Sequence, residues 1–327
     1  MRRWCQYMRI LLILAFVIIG GTSPILSDDI QKFIDKAREQ AVPKSPAEGA
    51  VHSSRTSADI SDLAQYIKNN SKPLDWSTLL RGEERVIYLG EMHADRAAKM
   101  ELSSHMQDVR AAGITHFGIE YGKDSLALVD KLLAGVPVAE DTILRIFGDG
   151  VILEMLGAAH KAGLGLVALD MTGEQKKETL RILCKKDPYC ASRSEEYEEF
   201  IAARDFYMAS SLARILDAPG TKVLVLVGAY HSQYQHQPKK FSQYGRGESK
   251  SYAFLYNYDT DNCNVKHAAE MDKSSIRYPL VKEFSDFCLA LKESRLEDRR
   301  IFIPTPRSLA SHDGYIVLPE NLKQEGK

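Results

Sequence analysis

The sequence predicts an α/β fold: a mainly parallel sheet flanked by helices on both faces, with paired Gly-x-x-His loops at its carboxyl edge. Three observations predict it. Short β-rich runs recur with helix-patterned segments between them, the alternation that builds a parallel sheet. The runs are apolar throughout, as strands covered on both faces are. Two of them, Val86 to Leu89 and Val223 to Val227, lead into Gly90-Glu91-Met92-His93 and Gly228-Ala229-Tyr230-His231. Ligands bind at the carboxyl edge of open α/β sheets, so two histidine-bearing exits predict one shared site.

The elements follow in order. Residues 1–27 read as a secretory signal peptide: Arg2, Arg3 and Arg9 are basic, Ile10 to Ile19 almost wholly apolar, and Gly20 to Ser27 small and turn-prone. The apolar stretch is short for a membrane span, so a secreted or periplasmic protein with no stable span after cleavage is expected. An uncleaved anchor helix is the other reading. Residues 28–57 read as a polar linker holding one short helix over Asp29 to Gln40, and 58–327 as the α/β domain. A helix over Ser61 to Asn69, with Trp76, prefaces the sheet. Strand 85–90 precedes a helix over 94–112, and the strand His116 to Ile119 ends in Glu120. Asp124 to Leu133 reads as helix, as does Thr142 to Ala162 with a break at Gly148-Asp149-Gly150. Leu164 to Leu169 is a strand ending in Asp170. A long helix from Glu195 to Leu216 stops at Pro219-Gly220 and leads to strand 222–227. Strands over Tyr252 to Tyr258, 301–303 and 315–318 close the domain.

Composition narrows the function. The 327 residues are 44% hydrophobic and 27% charged with a net charge of −1, enough for one sizeable core and no field to recruit nucleic acid. Neither a zinc-finger spacing nor a basic stripe is present, so nucleic-acid binding is not expected. Beyond Cys5, the cysteines Cys184, Cys190, Cys263 and Cys288 are even in number, as in an exported chain. Of three pairings, Cys184 with Cys190 across the Asp187-Pro188 turn, and Cys263 with Cys288, is favoured. No Gly-x-Ser-x-Gly elbow, phosphate-binding Gly-Lys-Ser/Thr loop or His-Glu-x-x-His helix occurs, which removes support for serine-triad, nucleotide-hydrolase and zincin readings.

The chemistry-bearing residues sit at strand ends: Glu91 and His93, Glu120, Asp170 and His231. Parallel strands bring these ends to one edge, where imidazoles and carboxylates can activate water or bind a divalent metal. His93, Glu120 and His231 are the candidate ligands, with manganese, cobalt or zinc as the metal. Each has a structural alternative: the acids can favour helix N-termini, and a histidine can be a satisfied core residue. Arg204, in Arg204-Asp205-Phe206-Tyr207-Met208-Ala209, could hold a substrate carboxylate or stabilise an oxyanion; its alternative is an ion pair with Asp205 or an acid of 195–199. Tyr230, Tyr234 and Tyr244 could line a pocket or bind a haem iron. His105, His116 and His160 read as surface residues, and His236, His267 and His312 as loop residues without a role.

With those residues in view, the chain resembles the TraB/ChaN/Tiki/erythromycin-esterase superfamily over residues 80 to 320. Gly90 to His93, Glu120, Arg204 to Ala209 and Gly228 to His231 carry the resemblance. The Gly-Glu-x-His form and the closing Asp313-Gly314-Tyr315-Ile316 look most like the ChaN-type branch. By that resemblance Glu91, His93, Glu120, Arg204 and His231 take the shared active-site positions. Tiki-like members are metal-dependent proteases, erythromycin-esterase-like members hydrolyse a lactone with a histidine base, and ChaN-like members bind haem for iron uptake. The chain departs from ChaN-like lipoproteins in having no Leu-x-Gly-Cys lipobox, and from the esterases in lacking Gly-Glu-x-x-His-Gly. An exported hydrolase of a peptide or ester bond is expected, with a haem- or iron-binding uptake protein as the alternative; the ligand is a small molecule or peptide in either case.

Overall fold

The computed structural model describes residues 27–39, 57–93, 95–147, 150–184, 194–255 and 278–319. The expected signal peptide, apart from Ser27, and linker residues 40–56 lie outside that set. One sheet holds β1 (Lys72–Pro73), β2 (Val86–Glu91), β3 (His116–Gly122), β4 (Gly165–Asp170), β5 (Val223–Gly228), β6 (Ser249–Phe254), β7 (Ile301–Pro304) and β8 (Gly314–Val317). Its order is β1-β7-β8-β6-β2-β5-β3-β4. The strands from β8 to β4 are parallel throughout, while β7 runs antiparallel to both β8 and β1. The mainly parallel sheet is what the sequence predicts.

The first helices are α1 (Ser27–Glu39), α2 (Ser57–Asn70), α3 (Trp76–Leu79), α4 (Arg96–Ala111), α5 (Lys123–Leu133) and α6 (Glu140–Phe147). They are followed by α7 (Val151–Lys161), α8 (Gly173–Cys184), α9 (Ser194–Ile215), α10 (Ala229–Ser232), α11 (Gln237–Ser242) and α12 (Tyr278–Ser294). Strand residues explain the layering. In β2, Ile87 and Leu89 join Phe117, Leu224 and Leu226 on one face, under α4 and α7. Val86 and Tyr88 join Val223, Val225 and Val227 on the other, under Met208, Ala209 and Leu212 of α9. Helices therefore cover both faces, each fully buried aliphatic side chain contributing about 1.5–3 kcal/mol. Asp95 starts α4 by accepting the Ala97 N–H at 2.8 Å.

Several elements differ from expectation. The short helix expected over 29–40 is a docked element, not an isolated turn of a linker. Ile30, Ile34 and Ala37 of α1 are buried, and Phe33 meets Tyr207 of α9 edge-on at 5.5 Å. Helix α12 was not anticipated, although Phe284, Phe287, Cys288 and Leu291 have helical spacing and are buried. Strand β6 begins at Ser249 because polar Ser249 and Lys250 pair with Val86 and Ile87; residues 256–258 are outside the described set. Cys184 and Cys288 are each disulfide-bonded, and Cys190 and Cys263, the expected partners, are not among the described residues.

Topology makes a crevice. From β2 the chain crosses beyond β5 to β3, by way of α4 on the first face. From β5 it returns past β2 to β6, by way of α10 and α11 on the α9 face. Neighbouring strands whose connections leave in opposite directions open a cleft at their carboxyl ends.

Candidate functional site

Four adjacent strands end at this cleft, and the register decides what meets there. Glu91 of β2 lies opposite Gly228 of β5, so the two Gly-x-x-His turns leave side by side. Beyond β5, the register of β3 against β4 shifts between Ile119 and Gly122, the step that contains Glu120. Glycine at 90 is dictated by this proximity: a Cβ there would come within 2.8 Å of Ala229 Cα and into Ser232 Oγ.

Glu120 is the hub. Its Oε2 accepts the Gly228 N–H at 2.7 Å and lies 3.6 Å from His93 Nε2. Its Oε1 accepts from Arg204 Nη2 at 2.5 Å and lies 3.3 Å from His231 Nε2. Both imidazoles thus meet on one carboxylate. Burial alone would raise the Glu120 pKa, but His231 and Arg204 beside it hold it well below the carboxylate range.

The two histidines live in opposite environments. His231 is buried and donates from Nδ1 to Asp205 Oδ1 at 2.6 Å. Burial would lower its pKa; Glu120 and Asp205 outweigh burial and raise it to about 9. It is an imidazolium at neutral pH, a fixed cation rather than a base. The His93 side chain is 65% exposed, with Nδ1 3.4 Å from Glu91 Oε1. That hydrogen bond is the main reason its pKa is raised. Buried Lys99 holds the turn in place: its Nζ lies 2.7 Å from Glu91 Oε2 and donates to the carbonyls of His93 and Asp95 at 2.8 and 3.0 Å.

Arg204 sits on α9 and is committed to two carboxylates. Besides Glu120, Nη2 reaches Asp170 Oδ2 at 2.6 Å and Nε reaches Asp170 Oδ1 at 3.2 Å. Lys176 Nζ is also 2.6 Å from Asp170 Oδ2. Asp170 is accordingly an anchor for two cations, and its Oδ1 accepts the Met171 N–H at 2.8 Å. The guanidinium pairs across strands instead of with Asp205 or the acids of 195–199.

Three functional residues escaped the sequence. Lys99 is one. His236 is another: its Nδ1 lies 3.1 Å from Asp205 Oδ2, and burial keeps it neutral by lowering its pKa. The available signal was Asp205 itself, an acid directly before the apolar segment Phe206-Tyr207-Met208, which must find partners to be buried. His312 is the third, fully buried with Nε2 2.8 Å from Ser232 Oγ; burial lowers its pKa to about 3, so it pins the second turn as a neutral group.

The three tyrosines are each engaged by neighbouring groups. Tyr234 donates its hydroxyl to Asp313 and lies under Arg307 at 4.3 Å; burial, then Asp313, raises its pKa. The Tyr230 ring packs 4.1 Å from that of His236, and the Tyr244 hydroxyl is 3.5 Å from the Phe206 carbonyl. The Tyr234 hydroxyl is thus committed to Asp313. The set His93, Glu120 and His231 does not fit manganese, cobalt or zinc. The Arg204 guanidinium at 2.5 Å occupies the Glu120 oxygen that faces His231, placing a fixed positive charge among the donors. Among the described residues, no three His, Cys, Asp or Glu groups are placed to hold a metal ion, and no helix is long and apolar enough to cross a membrane.

No protein-family model matches the chain, and no curated protein does. Solved structures that resemble it include ChaN of Campylobacter jejuni, described with cofacially bound haem: 15% identical, 56% of this chain and 85% of that one, TM-score 0.38. The type III effector HopBA1 is 17% identical over 59% of this chain and 88% of its own, TM-score 0.38. RRSP, a MARTX toxin effector domain from Vibrio vulnificus CMCP6, is 16% identical over 63% of this chain and 40% of its own, TM-score 0.40. At these TM-scores the likeness assigns neither family nor chemistry.

Proposed function

We propose that the chain is an exported hydrolase of an ester or amide bond, with His93 as general base. One observation carries it: of the residues clustered on Glu120, His93 alone presents a largely exposed ring, 65%, while its two nitrogens face two buried carboxylates. Glu91 accepts from Nδ1 and so leaves Nε2 as the basic nitrogen. In the reaction, Nε2 takes a proton from water as the water oxygen bonds the carbonyl carbon. The C–O or C–N bond then breaks, and the leaving group takes that proton back from His93. Glu120 stays ionised between Arg204 and His231, and its charge favours the imidazolium that forms when Nε2 takes the proton. Export is supported by the basic, apolar, small-residue leader and by two disulfide-bonded cysteines; N-terminal sequencing of the mature protein checks it.

The test is turnover of ester and peptide libraries by the wild type and His93→Ala. Loss of about 10²–10⁴-fold is expected for a general base; unchanged turnover overturns the reading. A second reading, haem binding, is favoured by one detail: the His93 ring is exposed, and imidazole is an axial haem ligand. A saturable Soret shift on haemin titration, lost in His93→Ala, would support it; a flat titration removes it.

A further inference from the structure

We infer that this site takes a substrate uncharged around its scissile bond, an ester or amide flanked by neutral groups. The inference rests on the hydrolase reading and names its substrate class. The cleft floor holds four carboxylates, Glu91, Glu120, Asp170 and Asp205, and four cations, Lys99, Lys176, Arg204 and His231. Each cation is spoken for: Lys99 lies 2.7 Å from Glu91, Lys176 2.6 Å from Asp170, Arg204 2.5 Å from Glu120, and His231 2.6 Å from Asp205. Of the eight side chains only Lys176 reaches the rim, about one-third exposed. The floor is therefore neutralised from within. A substrate carboxylate or phosphate could bind only by drawing Arg204 from Glu120 or Asp170, leaving a buried carboxylate unpaired. A substrate ammonium would have to pull a carboxylate from its cation, with the same consequence. Beside this floor the His93 ring is 65% exposed, and its neighbour Met92 is an exposed apolar residue. An uncharged acyl group meets both without disturbing any pair.

The experiment compares kcat/KM of the mature protein, corrected for spontaneous hydrolysis, for three 4-nitrophenyl esters with one leaving group: the butyrate, the monosuccinate and the 4-(trimethylammonio)butyrate, which place a neutral, an anionic and a cationic group near the ester. The neutral ester is expected to lead each charged one by about tenfold or more, the equivalent of 1.4 kcal/mol. Lys176→Gln leaves Asp170 one cation short and is expected to move the ratio several-fold toward the cationic ester, a change that a purely structural lysine would not produce. Equal or faster turnover of the succinate ester overturns the substrate class while leaving the hydrolase reading standing. No turnover of any ester or peptide by folded protein overturns both.

Discussion

The first Gly-x-x-His turn holds His93 out in solvent on a clamp of Lys99, whereas the second buries His231 between Glu120 and Asp205. The tetrapeptides share their spacing, strand context and a common carboxylate. What differs is the connection that follows. The chain after His93 runs through Asp95 into α4, leaving the imidazole at the rim. After His231 it folds back through α10 and α11 against α9, which brings Asp205 and His236 around the ring. Environment rather than motif leaves one histidine exposed and holds the other between two carboxylates as a cation up to about pH 9.

The strongest way to break this contrast is to remove the cation that both turns depend on. Arg204→Leu leaves Glu120 and Asp170 buried beside an apolar side chain, with Lys176 still on Asp170 and His231 on Glu120. Loss of one partner from a buried network of this kind costs about 3–5 kcal/mol. Urea unfolding should show a loss of that size. A loss below about 1 kcal/mol would mean that the carboxylates find water or other partners, and Glu120 would no longer qualify as the shared hub.

A second effect separates the histidines by pH. His231 has a folded-state pKa of about 9, raised above the ordinary imidazole value of about 6.5. A raised imidazole pKa gives stability that is fully present below about pH 6.5 and disappears as pH climbs through about 9, up to about 3 kcal/mol for this shift. Wild-type unfolding free energy should fall between pH 6 and pH 9.5, and His231→Asn should flatten the fall while lowering stability at pH 6. His93, being largely exposed, should leave the stability curve nearly unchanged when replaced by alanine. Its raised pKa should appear instead as a rise in hydrolysis with pH, placed above the ordinary imidazole range.

How much of this was written in the sequence depends on the range of the interaction. Strands β2, β4 and β5 were legible to within a residue or two because a continuous apolar run bounded by glycine or a polar residue is a local signal. Strand order was not: that β5, and not β3, lies beside β2 follows from packing of helices far apart in the chain. The same divide runs through the site. Glu91, His93, Glu120, Asp170 and His231 stand at strand ends and could be picked out by position. Lys99 and His236 could not, since a lysine on an otherwise ordinary helix and a histidine in a loop acquire meaning only when the fold puts Glu91 and Asp205 in reach. Arg204 could be found, but its ion-pair partners could not. Its motif marks its place, and only the register of β3 and β4 reveals that two acids already hold it.

The smallest expected effects come from the first glycine of each turn, and they sharpen the comparison most finely. At Gly90 an added Cβ would approach Ala229 Cα at 2.8 Å, backbone that cannot rotate away, so Gly90→Ala forces the two turns apart at a cost of about 1–3 kcal/mol. At Gly228 the added Cβ would meet His93 Nε2 at 3.2 Å and Glu120 Oε2 at 3.3 Å. There φ is −54°, which any residue adopts, and the His93 ring can yield into solvent. Gly228→Ala should therefore cost less than about 1 kcal/mol, within the spread of ordinary small substitutions, while moving His93 away from Glu120. Its signature is kinetic: slower ester hydrolysis, with the pH-rate midpoint shifted down as the ring loses the carboxylate that favours its charged form. Equal destabilisation by the two alanines would show that the second turn is packed as rigidly around His93 as the first is around Ala229, and the exposed base would lose the freedom that distinguishes it from His231.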